Sequence, residues 1–94
     1  MKPQQLTIGE KAKSILFECG WRQGPYGAHN DIRRVCMVEA VSASITDRAA
    51  PADVFGLTHA VIRGLGFSST PEAIEWNDKT GRTFEQVLKR LERV

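Results

Sequence analysis

The sequence has no long apolar run, no block of like charge and few residues suited to specialised chemistry, and each absence removes a class of function. No segment approaches the roughly 18 apolar residues of a membrane span, so no membrane partner is expected. The opening MKPQQLTIGEKAKS lacks the apolar stretch of about 7 to 15 residues that a secretory leader carries, and a cytoplasmic protein is expected. The two cysteines, Cys19 and Cys36, are too few for a disulfide framework. In a reducing compartment they are most simply free thiols acting as small core residues, although the sequence leaves a disulfide between them open.

Metal and nucleotide chemistry are equally poorly served. Cys19, His29, Cys36 and His59 are separated by intervals that match no closely spaced ligand pair, so no metal is expected. No glycine-rich phosphate loop follows a strand pattern, and no cofactor is expected. Net charge is +2, with 13 basic residues dispersed among 11 acidic ones. Nucleic-acid binding usually rests on a concentrated basic face, and this balance disfavours it.

What is present is helical patterning. The 94 residues, 41% of them hydrophobic, suffice for one modestly stable core. Thr7 with Glu10 has capping-box spacing, Ile8, Ala12, Ile15, Leu16 and Cys19 share one face, and Gly20 is a natural stop. Trp21 to Asp31 reads as an ordered loop anchored by Trp21 and Tyr26. In IRRVCMVEAVSASI (32–45) the only charge between Val35 and Ile45 is Glu39, the pattern of a helix surrounded by others. Pro51 opens a third helix with Val54, Leu57, Val61 and Leu65 as its buried stripe and Gly66 as its stop. Thr70 and Pro71 cap a short fourth helix ending near Trp76. Thr83 with Gln86 repeats the capping box and opens a last helix with Phe84, Val87, Leu88 and Leu91 on one face. The fold class is therefore all-α, one small domain (1–94) of four or five short helices around a central apolar helix, with 1–6 as a flexible N-terminus.

GWRQGPY (Gly20 to Tyr26), CMVEA (Cys36 to Ala40) and WNDKTGRTFEQVL (Trp76 to Leu88) together resemble a family of small helical proteins of unknown function found in actinobacteria and their phages. The resemblance implies a helical fold and a bacterial or phage-infected cell, but no mechanism. The chain departs from the pattern at Glu39, where a Gly is expected that would admit a close backbone approach.

Three function classes compete. A cysteine-dependent enzyme would use Cys36 near a helix start with His29 as base, but no third group or oxyanion site accompanies them. A DNA-binding helical protein would have to insert PEAIEWND, which carries Glu72, Glu75 and Asp78 and no basic residue; Arg33 and Arg34, or Lys89, Arg90 and Arg93, could contact phosphate from elsewhere, but such charges are usually a solvated face. The class best served is a protein-binding module, a phage protein acting on a host protein being one setting, with Arg22, Gln23 and His29 as candidate contacts. In EWNDKTGRT, Trp76 is expected as an apolar anchor and Asn77, Asp78 and Gly81 as turn chemistry. Arg82 is placed to pair with Asp78 or with the carbonyls ending the fourth helix.

Overall fold

The structure, a computed structural model, describes residues 6–23 and 34–94. Five α-helices follow in order: α1 (Ile8–Cys19), α2 (Met37–Thr46), α3 (Val54–Gly64), α4 (Thr70–Asp78) and α5 (Phe84–Leu91), with a 3-10 turn at Pro51–Asp53 leading into α3. The all-α, single-domain expectation holds. Within the described residues extended structure is confined to one parallel bridge between Trp21 and Val35. The N-terminal segment before Leu6, and Tyr26 and His29, lie outside the described residues.

Helix α2 is central because its sequence leaves it almost no polar side to turn outward. Met37, Val38, Ala40, Val41, Ser44 and Ile45 are all buried, and α1, α3 and α4 pack around them. Each large apolar side chain so buried contributes on the order of 1.5–3 kcal/mol. Ser44 is tolerated there because its hydroxyl donates to the Ala40 carbonyl at 2.8 Å, leaving no unpaired polar atom.

The helix starts are set by side chains. Thr7 and Glu10 form the capping box of α1 at 3.0 and 2.9 Å, and Thr83 and Gln86 that of α5 at 3.2 and 3.0 Å. Helix α2 begins at Met37, within the 32–45 segment, with Cys36 near the helix start as expected and serving as its cap: its sulfur accepts from the Glu39 amide at 3.4 Å while the Glu39 carboxylate accepts from the Cys36 amide at 2.9 Å. Glu39 thus has a structural task in the place where a Gly was expected. For α4 the cap is Ser69, one residue before the expected Thr70, and the helix runs on to Asp78.

Two apolar assignments are corrected. Cys19 is exposed while Cys36 is buried, both as free thiols, because the α1 residues that meet the core are Gly9, Ala12 and Leu16. On α3 the buried residues are Thr58 and Ile62, with Leu65 just beyond, whereas Leu57 is 44% and Phe55 86% exposed. Apolar residues occur around most of α3, so spacing alone fits more than one stripe.

The C-terminal end locks α1 against α5. A Cβ at Gly9 would run into the carbonyl oxygens of Leu91 and Val94, so only glycine permits this approach. At Gly66 the backbone turns with φ 104°, and a Cβ there would also lie 2.9 Å from an Arg93 guanidinium nitrogen. Gly9→Ala is expected to destabilise the protein by about 1–3 kcal/mol through overpacking. Gly56→Ala, where an added Cβ meets nothing within 4 Å, should stabilise it by about 0.5–1 kcal/mol. Urea unfolding midpoints of the two variants, compared with wild type, test both signs.

Candidate functional site

The last turn of α4, with the turn that follows it, has an inner and an outer face, and adjacent residues build them. Inward, Asn77 is fully buried and its carboxamide makes every bond available to it. Its oxygen accepts from the Trp21 indole N–H at 2.7 Å and from the Met37 amide at 3.1 Å. Its nitrogen donates to the Arg22 carbonyl at 3.1 Å and to an Asp78 carboxylate oxygen at 2.9 Å. Met37 is the first residue of α2, so Asn77 satisfies one of the amides that a helix start leaves unpaired. Asn77 is thus a buried connector between α4, α2 and the segment after α1, and the expectation of turn chemistry is corrected.

The three residues Trp21, Arg22 and Gln23 are all drawn into this arrangement. The Trp21 ring also stacks on Phe84 with centroids 6.0 Å apart. Arg22, only 9% exposed, pairs with Glu39 at 2.7 Å and donates through Nε to the Arg34 carbonyl at 3.1 Å. Gln23 is exposed, but its amide nitrogen donates to the carbonyls of Asn77 and Lys79 at 2.9 and 2.8 Å, serving the end of α4. Two of the candidate partner contacts are therefore held within the fold, and the third, His29, lies outside the described residues.

Cys36 does not have the environment of an activated nucleophile. Burial pushes its thiol up to about 11, and the nearby Glu39 carboxylate adds to the rise, whereas a nucleophilic cysteine needs a lowered value. Among the described residues no group of three or more histidine, cysteine or acidic side chains is placed to hold a metal ion.

The outer face gathers positive charge. Arg82 donates through Nε to the Trp76 carbonyl at 2.9 Å, ending α4 as one of the two sequence expectations had it. Its guanidinium lies 3.9 Å from the Trp76 ring centre, and that of Arg90 lies 4.7 Å from the same centre and 4.8 Å from the Phe67 ring. Arg90 and Arg93 both donate to the Leu65 carbonyl, at 3.0 and 3.1 Å. These side chains, with Lys89 and Glu92, line an open groove of about 480 Å³. Among the described residues none of Arg82, Lys89, Arg90 or Arg93 is ion-paired to a carboxylate, and Glu92 is drawn toward Lys13 at 3.7 Å. Burial, then the charges of Arg93 and Arg82, hold the Arg90 guanidinium below the usual arginine range. Like charges are packed here at a cost in repulsion.

The sequence allows Lys89, Arg90 and Arg93 to contact phosphate but favours a solvated face for them, and it places Arg82 separately. The missed signal is the spacing Gln86, Lys89, Arg90, Arg93, which sets two cations on one side of the last helix and a third just past its end, with Arg82 just before it.

Among the described residues, fold and site together define a small five-helix domain with a buried amide connector on the inner face of one turn and an arginine-lined groove on its outer face. The chain belongs to a family of unknown function (DUF6197), whose model matches residues 1–94. No curated protein and no solved structure matches it.

Asn77→Ala should cost about 3 kcal/mol or more, since it leaves buried donors on Trp21 and Met37 unpaired at about 1–3 kcal/mol each. In a double-mutant cycle with Trp21→Phe, urea unfolding should give a coupling on the order of 1 kcal/mol. Labelling of the native protein with a disulfide reagent at neutral pH should modify Cys19 promptly and Cys36 only through unfolding. Direct reaction of Cys36 should rise only as the pH nears about 11.

Proposed function

We propose that the protein is a binding module that takes an acidic segment of another protein on the groove formed by Trp76, Arg82, Lys89, Arg90 and Arg93. The observation that carries this is the absence, among the described residues, of any carboxylate paired to these four cations. Closely set guanidiniums repel one another and hold few internal acceptors, so an external anion gains both charge neutralisation and hydrogen bonds. The half-buried Trp76 and the packed arginines are residue types over-represented at protein interfaces.

An acidic protein segment suits the groove better than a nucleic acid does. The positive patch is short, Glu92 lines it, and the adjoining α4 surface presents Glu72 and Glu75 as exposed carboxylates. A nucleic-acid backbone running beyond the groove would meet those negative charges. The resemblance to helical proteins of actinobacteria and their phages supports a setting in a bacterial or phage-infected cell, where a phage protein of this size would act by occupying a host protein. Gln23, exposed near the same end of α4, then serves by holding the turn that presents Trp76.

Affinity capture from a bacterial lysate tests the module. Wild-type bait should retain a protein that is lost with a Lys89→Glu, Arg93→Gln variant and kept with a Lys11→Glu control, each variant being checked for fold by circular dichroism. Equal capture by the groove variant, or retention of nucleic acid alone, would contradict it.

A further inference from the structure

We infer that the anion this groove is built to receive is a phosphoryl group on a side chain of the partner, an inference that rests on the module proposed above. The argument is one of charge and of donor count. Arg90 and Arg93 each spend one terminal nitrogen on the single Leu65 carbonyl. Arg82 spends Nε on the Trp76 carbonyl and one terminal nitrogen on Gln86 Oε1 at 3.4 Å. The other N–H groups of these guanidiniums, and the whole ammonium of Lys89, have no protein acceptor among the described residues.

A single carboxylate brings one negative charge and two acceptor oxygens, too little to occupy donors on three arginines and a lysine. A phosphoryl monoester brings a charge of about −1.5 to −2 and three strong acceptor oxygens. Guanidiniums bond such oxygens in pairs, and several can share one phosphoryl group. All three guanidiniums line the same groove. Those of Arg82 and Arg90 lie within 5 Å of the Trp76 ring centre, and those of Arg90 and Arg93 meet at one carbonyl. Their positions are fixed by internal bonds before any ligand arrives, which lowers the ordering cost of binding. A dianion also relieves more of the repulsion within the cluster than a carboxylate does.

Isothermal titration calorimetry with the full chain tests the inference. The probes are a short acidic peptide bearing one phosphoserine, the same peptide with Glu or Ser at that position, inorganic phosphate alone, and a single-stranded oligonucleotide. The phosphopeptide should bind at least about tenfold more tightly than the Glu peptide, and more tightly than phosphate or the oligonucleotide. That preference should shrink in Arg90→Lys, which keeps the charge but loses the fork, and in Lys89→Gln, which disturbs no internal hydrogen bond. Equal affinity for the phosphoserine and Glu peptides overturns the phosphoryl inference while leaving the module intact. Tighter binding of the oligonucleotide, or a phosphopeptide affinity no better than that of phosphate, counts against the module and overturns the phosphoryl inference. Failure of every peptide overturns it as well, and the capture experiment then decides the module by itself.

Discussion

The fold depends on one buried carboxamide. Asn77 is the point at which the end of α4, the start of α2 and the segment after α1 are tied together, and its four hydrogen bonds leave neither oxygen nor nitrogen unspent. A buried polar group in this state contributes specificity because no other packing satisfies the same donors and acceptors. Turning the amide over would set its N–H groups against the Trp21 indole and the Met37 amide, both donors, so the local geometry has a single solution. Around this point the Arg22–Glu39 pair and the Glu39–Cys36 capping box join the same segment to the first turn of α2.

The outer groove is a consequence of that inner fixation. With Asn77 turned into the core, its neighbour Trp76 lies at the surface edge, where Arg82 and Arg90 cover its ring and Phe67 packs 5.6 Å away. Arg90 from α5 and Arg93 from just past its end meanwhile reach the Leu65 carbonyl at the end of α3. Carbonyls at a helix end favour positive charge, so each arginine has a local reason to be where it is. Those local reasons do not remove the mutual repulsion of the group. A domain with net charge +2 and 11 acidic residues places four cations in one groove without pairing one of them among the described residues. Under the proposed function, that arrangement marks the groove as an interaction surface and not a scatter of solvated charge.

What the sequence disclosed and what it hid follow from the range of the interactions. The capping boxes of Thr7 with Glu10 and Thr83 with Gln86 act over three residues and were legible as spacing, as was the apolar character of α2. The start of α2 near Cys36 was legible too, but its cap chemistry was not, because sulfur is an unusual cap. Asn77 was hidden for a stronger reason: its partners lie up to 56 residues away, and in a turn-like string such as WNDKTG an asparagine has an adequate local explanation. The internal partners of Arg22 and Gln23 were hidden for the same reason, since nothing nearby in sequence announces Glu39 or the carbonyls of Asn77 and Lys79. The arginine groove was half visible as the stripe along α5. Its completion by Arg82 and Trp76 required the turn to be folded.

The central claim is that one turn fixes the core on its inner face and presents an unneutralised arginine cluster on its outer face. The most direct measurement is the NMR of arginine side-chain Nε–H groups during addition of phosphate, compared with chloride at matched ionic strength. The account predicts phosphate-specific, saturable shifts at Arg82, Arg90 and Arg93, with the Trp21 indole and the Arg22 Nε–H unmoved and protected from exchange. Uniform shifts across exposed arginines, or a Trp21 indole that exchanges freely with solvent, would contradict it.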